Sequence, residues 1–205
     1  MLYNQAVMDI KQILNAKILS GTFAICIIVT SYGKQQNKEH TSSLSADIAT
    51  NTILSDTLQA VRNTLTDIYS QVQQMARSGK FDTTPLTLRY CTQEFKDLYQ
   101  REVKWTQENE DMLISYNCWL RLQDSESPTY TIKEIELFEH QEHHRAMATI
   151  QITDTLGGTA IAHRFAVHMT LTNGKWLVSD FQDFNEPTYT EVLKLALEEA
   201  EASIK

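Results

Sequence analysis

The sequence predicts an α+β fold in which helices come first, a four-stranded antiparallel sheet follows, and one short acidic helix closes the chain. Leu54, Leu58, Val61, Leu65, Ile68, Val72 and Met75 alternate spacings of four and three, which places all seven on one face of a helix. From Tyr130 onward the apolar period shortens to two, as expected of strands with one face buried. The run ends at Asn173-Gly174, a hairpin turn signal, followed by Lys175-Trp176-Leu177-Val178-Ser179-Asp180-Phe181.

Ser78-Gly79 supplies the stop of the long helix, with Gly79 suited to a left-handed C-cap. Its stripe is narrow enough for a coiled-coil seam but covers about three heptads, so packing across a sheet is the expected use. Pro85 suits the first turn of a shorter helix, and Thr92 reads as the N-cap of another that bears Phe95, Leu98, Tyr99 and Val103. Residues 111–119 read as a last helical turn or an irregular crossing, and residues 125–128 as a turn.

The first strand, near residues 131–139, has Ile135 and Leu137 on one parity and Ile132 and Phe138 on the other, which predicts a bulge. In the second, Ala146, Ala148, Ile150 and Ile152 share a face. Leu156-Gly157-Gly158-Thr159 turns into a third strand, with Ile161, His163, Phe165, Val167, Met169 and Leu171 on one parity. Trp176, Val178 and Asp180 are expected on one face of the fourth. Glu186-Pro187-Thr188 then opens the closing helix through Val192, Leu195 and Ala196.

A chain of 205 residues suits one well-buried domain with a processed N-terminus. Residues 18–30 (ILSGTFAICIIVT) are uncharged, follow Lys11 and Lys17, and precede an abruptly polar stretch. Thirteen residues are short for a bilayer span and suit the apolar region of a secretory signal. Ser31 and Gly33 place the expected cut after Gly33, so residues 1–33 are read as signal peptide, 34–50 as a flexible lead-in and 51–205 as a single domain. An uncleaved membrane anchor is the alternative, and Met8 is a plausible start. Lipidation at Cys26 is disfavoured, because Ile25 precedes it where a small residue belongs. The expected location is therefore periplasmic or extracellular, with membrane contact only through this segment.

Cleavage leaves Cys91 and Cys118, which export would allow to pair as a disulfide; two buried thiols are the other reading. A net charge of -8 and the lack of any Lys/Arg cluster longer than two residues disfavour nucleic acid as a partner.

Helices followed by a strongly bent antiparallel sheet ending in a Gly-Lys-Trp type strand resemble the cystatin-like or nuclear-transport-factor-2-like cone fold. Within that group the chain is similar to a family of exported bacterial proteins known as a domain of unknown function. The resemblance rests on Tyr90-Cys91-Thr92-Gln93-Glu94-Phe95, on Asp111-Met112-Leu113 followed by Gln123-Asp124, on the strand run from Tyr130, and on Trp176-Leu177-Val178-Ser179-Asp180. It covers roughly residues 54–184, and the chain departs from it with Met112 where a proline is usual and with its added C-terminal helix. It implies fold and export, not activity.

His163 and Asp180 are the catalytic candidates, since a buried imidazole facing a carboxylate could work as an acid/base pair. The plainer reading is a hydrogen-bonded core histidine. His140, Glu142, His143 and His144 are metal-ligand types, but a hairpin tip presets no ligand geometry, so no metal is expected. Asp111, Gln123 and Asp124 are expected to cap the helix-to-sheet crossing. Tyr99, Tyr116, Trp119 and Trp176, with Trp105 nearby, could line a ligand pocket or fill the core. No Gly-rich phosphate loop, nucleophile elbow or Cys-x-x-Cys pair occurs, and no cofactor is expected.

The expectation that follows is an exported binding or interaction domain for a small molecule or protein. A hydratase or isomerase using His163 and Asp180 is the rival, and a structural homodimer through the open sheet face is a third reading.

Overall fold

The computed structural model describes residues 42–79, 82–110, 112–121, 128–140, 143–156 and 159–203, all within the compact unit Thr41–Lys205. Three helices, α1 (Ser42–Arg77), α2 (Thr84–Tyr90) and α3 (Gln93–Asn109), precede four strands, β1 (Thr129–His140), β2 (His143–Leu156), β3 (Thr159–Thr172) and β4 (Lys175–Asp183). Helix α4 (Tyr189–Ser203) closes the chain. The strands form one antiparallel sheet in the order β1-β2-β3-β4.

Helix α1 begins at Ser42, inside the stretch expected to be lead-in. Its stripe is buried at Val61, Leu65, Ile68 and Val72, whereas Leu54 is 48% exposed. The burial therefore starts about two turns later than the periodicity. Tyr69 adds to the face, its ring 5.6 Å from that of Tyr130 in β1 and 6.5 Å from Phe165 in β3. Thr92 caps α3 by accepting from the Phe95 amide, as its sequence position predicts. At α4, Thr188 and Glu191 form a reciprocal capping box: the Thr188 amide donates to Glu191 Oε2 (2.9 Å), and the Glu191 amide to Thr188 Oγ1 (3.4 Å). The buried face of α4 is Tyr189, Leu193 and Leu197, and Leu195 is exposed.

Two bulges decide which strand residues face the core. In β1 the register shifts between Ile132 and Glu134, so Tyr130, Ile132, Ile135 and Leu137 all pack against the core while Phe138 points away. In β4 the register shifts at Ser179: Val178 pairs with Met169 but Asp180 pairs with His168. One extra residue reverses the parity. The buried positions are Trp176, Val178 and Phe181, and Asp180 leaves the face it was expected to share with Trp176 and Val178.

The free edge of β4 is covered at two points. Cys91 makes a parallel bridge to Val178, with the Thr92 amide donating to the Val178 carbonyl (2.8 Å), and Thr188 bridges Gln182. Such pairing satisfies edge groups that would otherwise recruit another chain. Around this edge Phe95 packs on Phe181 (5.7 Å) and stacks on Tyr189 (5.8 Å), and Trp119 meets Phe181 edge-on at 5.0 Å. These contacts bring α3, the irregular crossing at residues 112–121, β4 and α4 to one place.

The last hairpin has Asn173 at φ 51° and Gly174 at φ 73°, the pair of positive values that a type I′ turn needs. A Cβ at Gly174 would meet nothing within 4 Å, so a substitution there is opposed by backbone conformation alone. Gly174→Ala is expected to cost about 1 kcal/mol in denaturant unfolding. No loss of stability would mean that this turn is of another type.

Candidate functional site

The crossing carries a buried charge. Arg121 sits at a left-handed φ of 55°, and its side chain is only 3% exposed. Its Nε donates to Asp183 Oδ2 (3.1 Å), Nη2 donates to the same oxygen, and Nη1 donates to the Tyr116 hydroxyl (2.8 Å). The guanidinium carbon lies 4.4 Å from the centre of the Tyr116 ring. Asp183 Oδ1 accepts from His163 Nε2 (2.8 Å), and the His163 ring stacks on Phe165 at 5.9 Å.

Burial by itself would raise the Asp183 carboxyl, but hydrogen bonds from His163 and Arg121, with the charge of Arg121, hold it below the ordinary carboxylate range. Both carboxylate oxygens are therefore occupied and the group stays ionised.

His163 is thus paired with Asp183, not with Asp180. The Ser179 bulge is the reason, since it carries Asp183 to the parity of Phe181 and opposite Phe165. Asp180 instead accepts from the Thr190 amide (3.1 Å) and the Thr190 hydroxyl, at the start of α4, and from the Phe181 amide (2.9 Å). It anchors a helix end.

Beside this network lies a cleft of about 590 Å³ between α3, the crossing and the start of α4. Tyr99, Glu102 and Thr106 line it from α3, Tyr116 and Asn117 from the crossing, and Tyr189 from α4. Asn117 shapes the crossing locally: its side-chain oxygen accepts from the Trp119 amide (2.9 Å), while its amide nitrogen donates to Thr83 Oγ1 (3.2 Å). Tyr99 and Thr84 hydroxyls meet at 3.1 Å, and the Tyr116 and Tyr189 rings meet edge-on at 6.2 Å. Glu102 accepts from the Tyr189 hydroxyl (2.9 Å). Burial raises its carboxyl above the ordinary range, and that one hydrogen bond offsets only part of the effect.

Of the expected pocket residues, Tyr99 and Tyr116 line the cleft and the two tryptophans do not. Trp119 is fully buried, with Nε1 donating to Thr87 Oγ1 (3.2 Å), and Trp176 is buried under the sheet's inner parity; both are core. Trp105 packs at the core's margin. Cys91 and Cys118 are free, buried thiols, and burial raises both well above the usual thiol range. Thiols so shielded are inert.

His140 and His143 face each other across the β1–β2 hairpin, but their side chains, and all of Glu142, lie outside the described residues, as do Asp111, Gln123, Asp124 and the segment at residues 1–33. His144 is exposed. Among the described residues no group of three or more His, Cys, Asp or Glu side chains could hold a metal, and no helix is long and apolar enough to cross a membrane.

Glu102, Tyr189, Arg121 and Asp183 are absent from the sequence-based candidates. Glu102 had a signal: it sits seven residues after Phe95 and three after Tyr99, on the helical stripe that otherwise holds apolar side chains. Arg121 interrupts the apolar run Cys118-Trp119-Leu120-Arg121-Leu122, where a lone charge marks a buried pair. Comparison with family models, curated proteins and solved structures finds no match, so the reading of this site rests on its own residues.

The two carboxylates set opposite pH dependences. Asp183 contributes stability that is present above the ordinary carboxylate range and lost as pH falls through its depressed value. Glu102, raised in the folded state, withdraws stability as pH rises through its ordinary value and then its elevated one. Glu102→Gln is therefore expected to raise the unfolding midpoint at pH 7, with the gain disappearing below about pH 4. A destabilised variant at pH 7 would contradict the placement of Glu102.

Proposed function

We propose that this protein is an exported binding domain of the cone-like, nuclear-transport-factor-2-like type, and that the cleft between α3 and the crossing holds its ligand. The observation that carries the reading is the cleft itself. Its volume falls within the few hundred to about 1,000 Å³ typical of small-molecule sites, and its lining mixes three tyrosines and apolar side chains with a few polar groups. The helices-then-sheet order, two register-shifting bulges and a four-strand meander support the cone-type fold. Export is supported by the uncharged run at residues 18–30 after Lys11 and Lys17.

The enzyme reading has less to stand on. The His163–Asp183 pair lies outside the cleft lining, and both oxygens of Asp183 already accept hydrogen bonds from Arg121 and His163. The open parity of the sheet presents Glu134, Glu136, Arg145, Thr149, Gln151 and Arg164 beside Phe138 and Met147, a mixed surface more polar than the apolar face of an obligate dimer.

Purified protein examined by native mass spectrometry is expected to carry a bound small molecule. Thr106→Trp, which fills the cleft from α3, should abolish retention while changing unfolding free energy by no more than about 0.5 kcal/mol. Undiminished retention by that variant would place the ligand elsewhere.

A further inference from the structure

Glu102 is the only charged residue among the described residues that line the cleft. Its one hydrogen-bond partner among the described residues is the Tyr189 hydroxyl, and no basic side chain among them pairs with it. The nearest basic residues along α3 are committed elsewhere: Arg101 to Glu201 (2.7 Å) and Lys104 to Glu108 (3.7 Å). The other buried charge nearby, Arg121, stands behind Tyr116 and is neutralised by Asp183. A partly desolvated carboxylate without a counter-charge is costly, and a cation arriving with a ligand removes that cost.

We propose that the cleft recognises an organic ammonium ion, a monoamine with an apolar body, whose charged nitrogen donates to Glu102. This inference rests on the cleft reading above. The tyrosines fit the same ligand, since together with Val103 and Ile114 they offer apolar surface to the rest of the molecule. An anion would meet Glu102 with no lining cation to offset it. A neutral ligand would leave the carboxylate uncompensated, so the site discriminates by charge. Thr83, Asn117 and Tyr99 add polar atoms to the same lining.

The test uses three probes of nearly equal shape titrated into the full chain: 2-phenylethylamine as the ammonium, 2-phenylethanol as the neutral analogue and 3-phenylpropionate as the anion. Binding is read by calorimetry and by amide shifts of Thr106, Ser115 and Asn117. The amine is expected to bind at least about tenfold more tightly than the alcohol, since a charge-assisted hydrogen bond is involved. The carboxylate should not bind. Glu102→Gln should remove the preference, so that the amine binds no more tightly than the alcohol. Equal binding of alcohol and amine, or an amine affinity indifferent to Glu102→Gln, overturns the charge class and leaves the cleft as a binding site. If none of the three probes shifts those amides, the cleft reading fails and the ammonium inference falls with it.

Discussion

The guanidinium of Arg121 is buried with one carboxylate to neutralise it, and the geometry of the whole helix-to-sheet junction follows from that constraint. Taking a guanidinium out of water is tolerable only when a counter-ion and hydrogen bonds replace its hydration. Asp183 supplies the charge, the Tyr116 hydroxyl and ring supply a further acceptor and an aromatic face, and His163 engages the second oxygen of Asp183. Each of these partners comes from a different part of the chain. The irregular crossing is thereby tied to the end of β4 and to β3, although it has no regular ladder of its own. Such a pair does not have to be a net source of stability, since a well-packed apolar replacement can match it. Its consequence is positional, because it fixes which way Tyr116 faces.

Tyr116 connects this scaffold to the cleft, with one side occupied by Arg121 and its ring edge-on to Tyr189. Tyr189 in turn stacks on Phe95 and bonds Glu102. The result is two carboxylates in neighbouring but opposite situations. Asp183 is compensated twice and is held ionised, whereas Glu102 has lost water and gained only a phenol. Structural charges in proteins are resolved within the fold; an unresolved one in a concave site marks a place where something else completes the arrangement.

Much of the fold can be read along the chain, because periodicity reports burial directly. The stripe of α1, the alternation of β2 and β3, the Thr92 cap and the Asn173-Gly174 turn depend on local rules that the structure obeys. The first bulge was visible because β1 shows two apolar parities. The second was not, since Trp176, Val178 and Asp180 continue an unbroken alternation through Ser179, and nothing local says that the register slips there. That slip replaced Asp180 by Asp183 beside His163. The cleft was half legible for a related reason: an aromatic residue looks the same in sequence whether it is core, like Trp119 and Trp176, or lining, like Tyr99 and Tyr116. Glu102 and Arg121 are legible only as charges that interrupt apolar patterns, and their meaning requires knowing what lies opposite.

The most direct test of the Arg121 constraint is a double-mutant cycle in denaturant unfolding with Arg121→Met, Asp183→Asn and their combination. Asp183→Asn strands a buried guanidinium and is expected to cost about 3–5 kcal/mol. Adding Arg121→Met should recover a large part of that loss, with a coupling of at least about 1 kcal/mol between the sites. A cost for Asp183→Asn within about 0.5 kcal/mol of the wild type, or effects that simply add, would contradict the account.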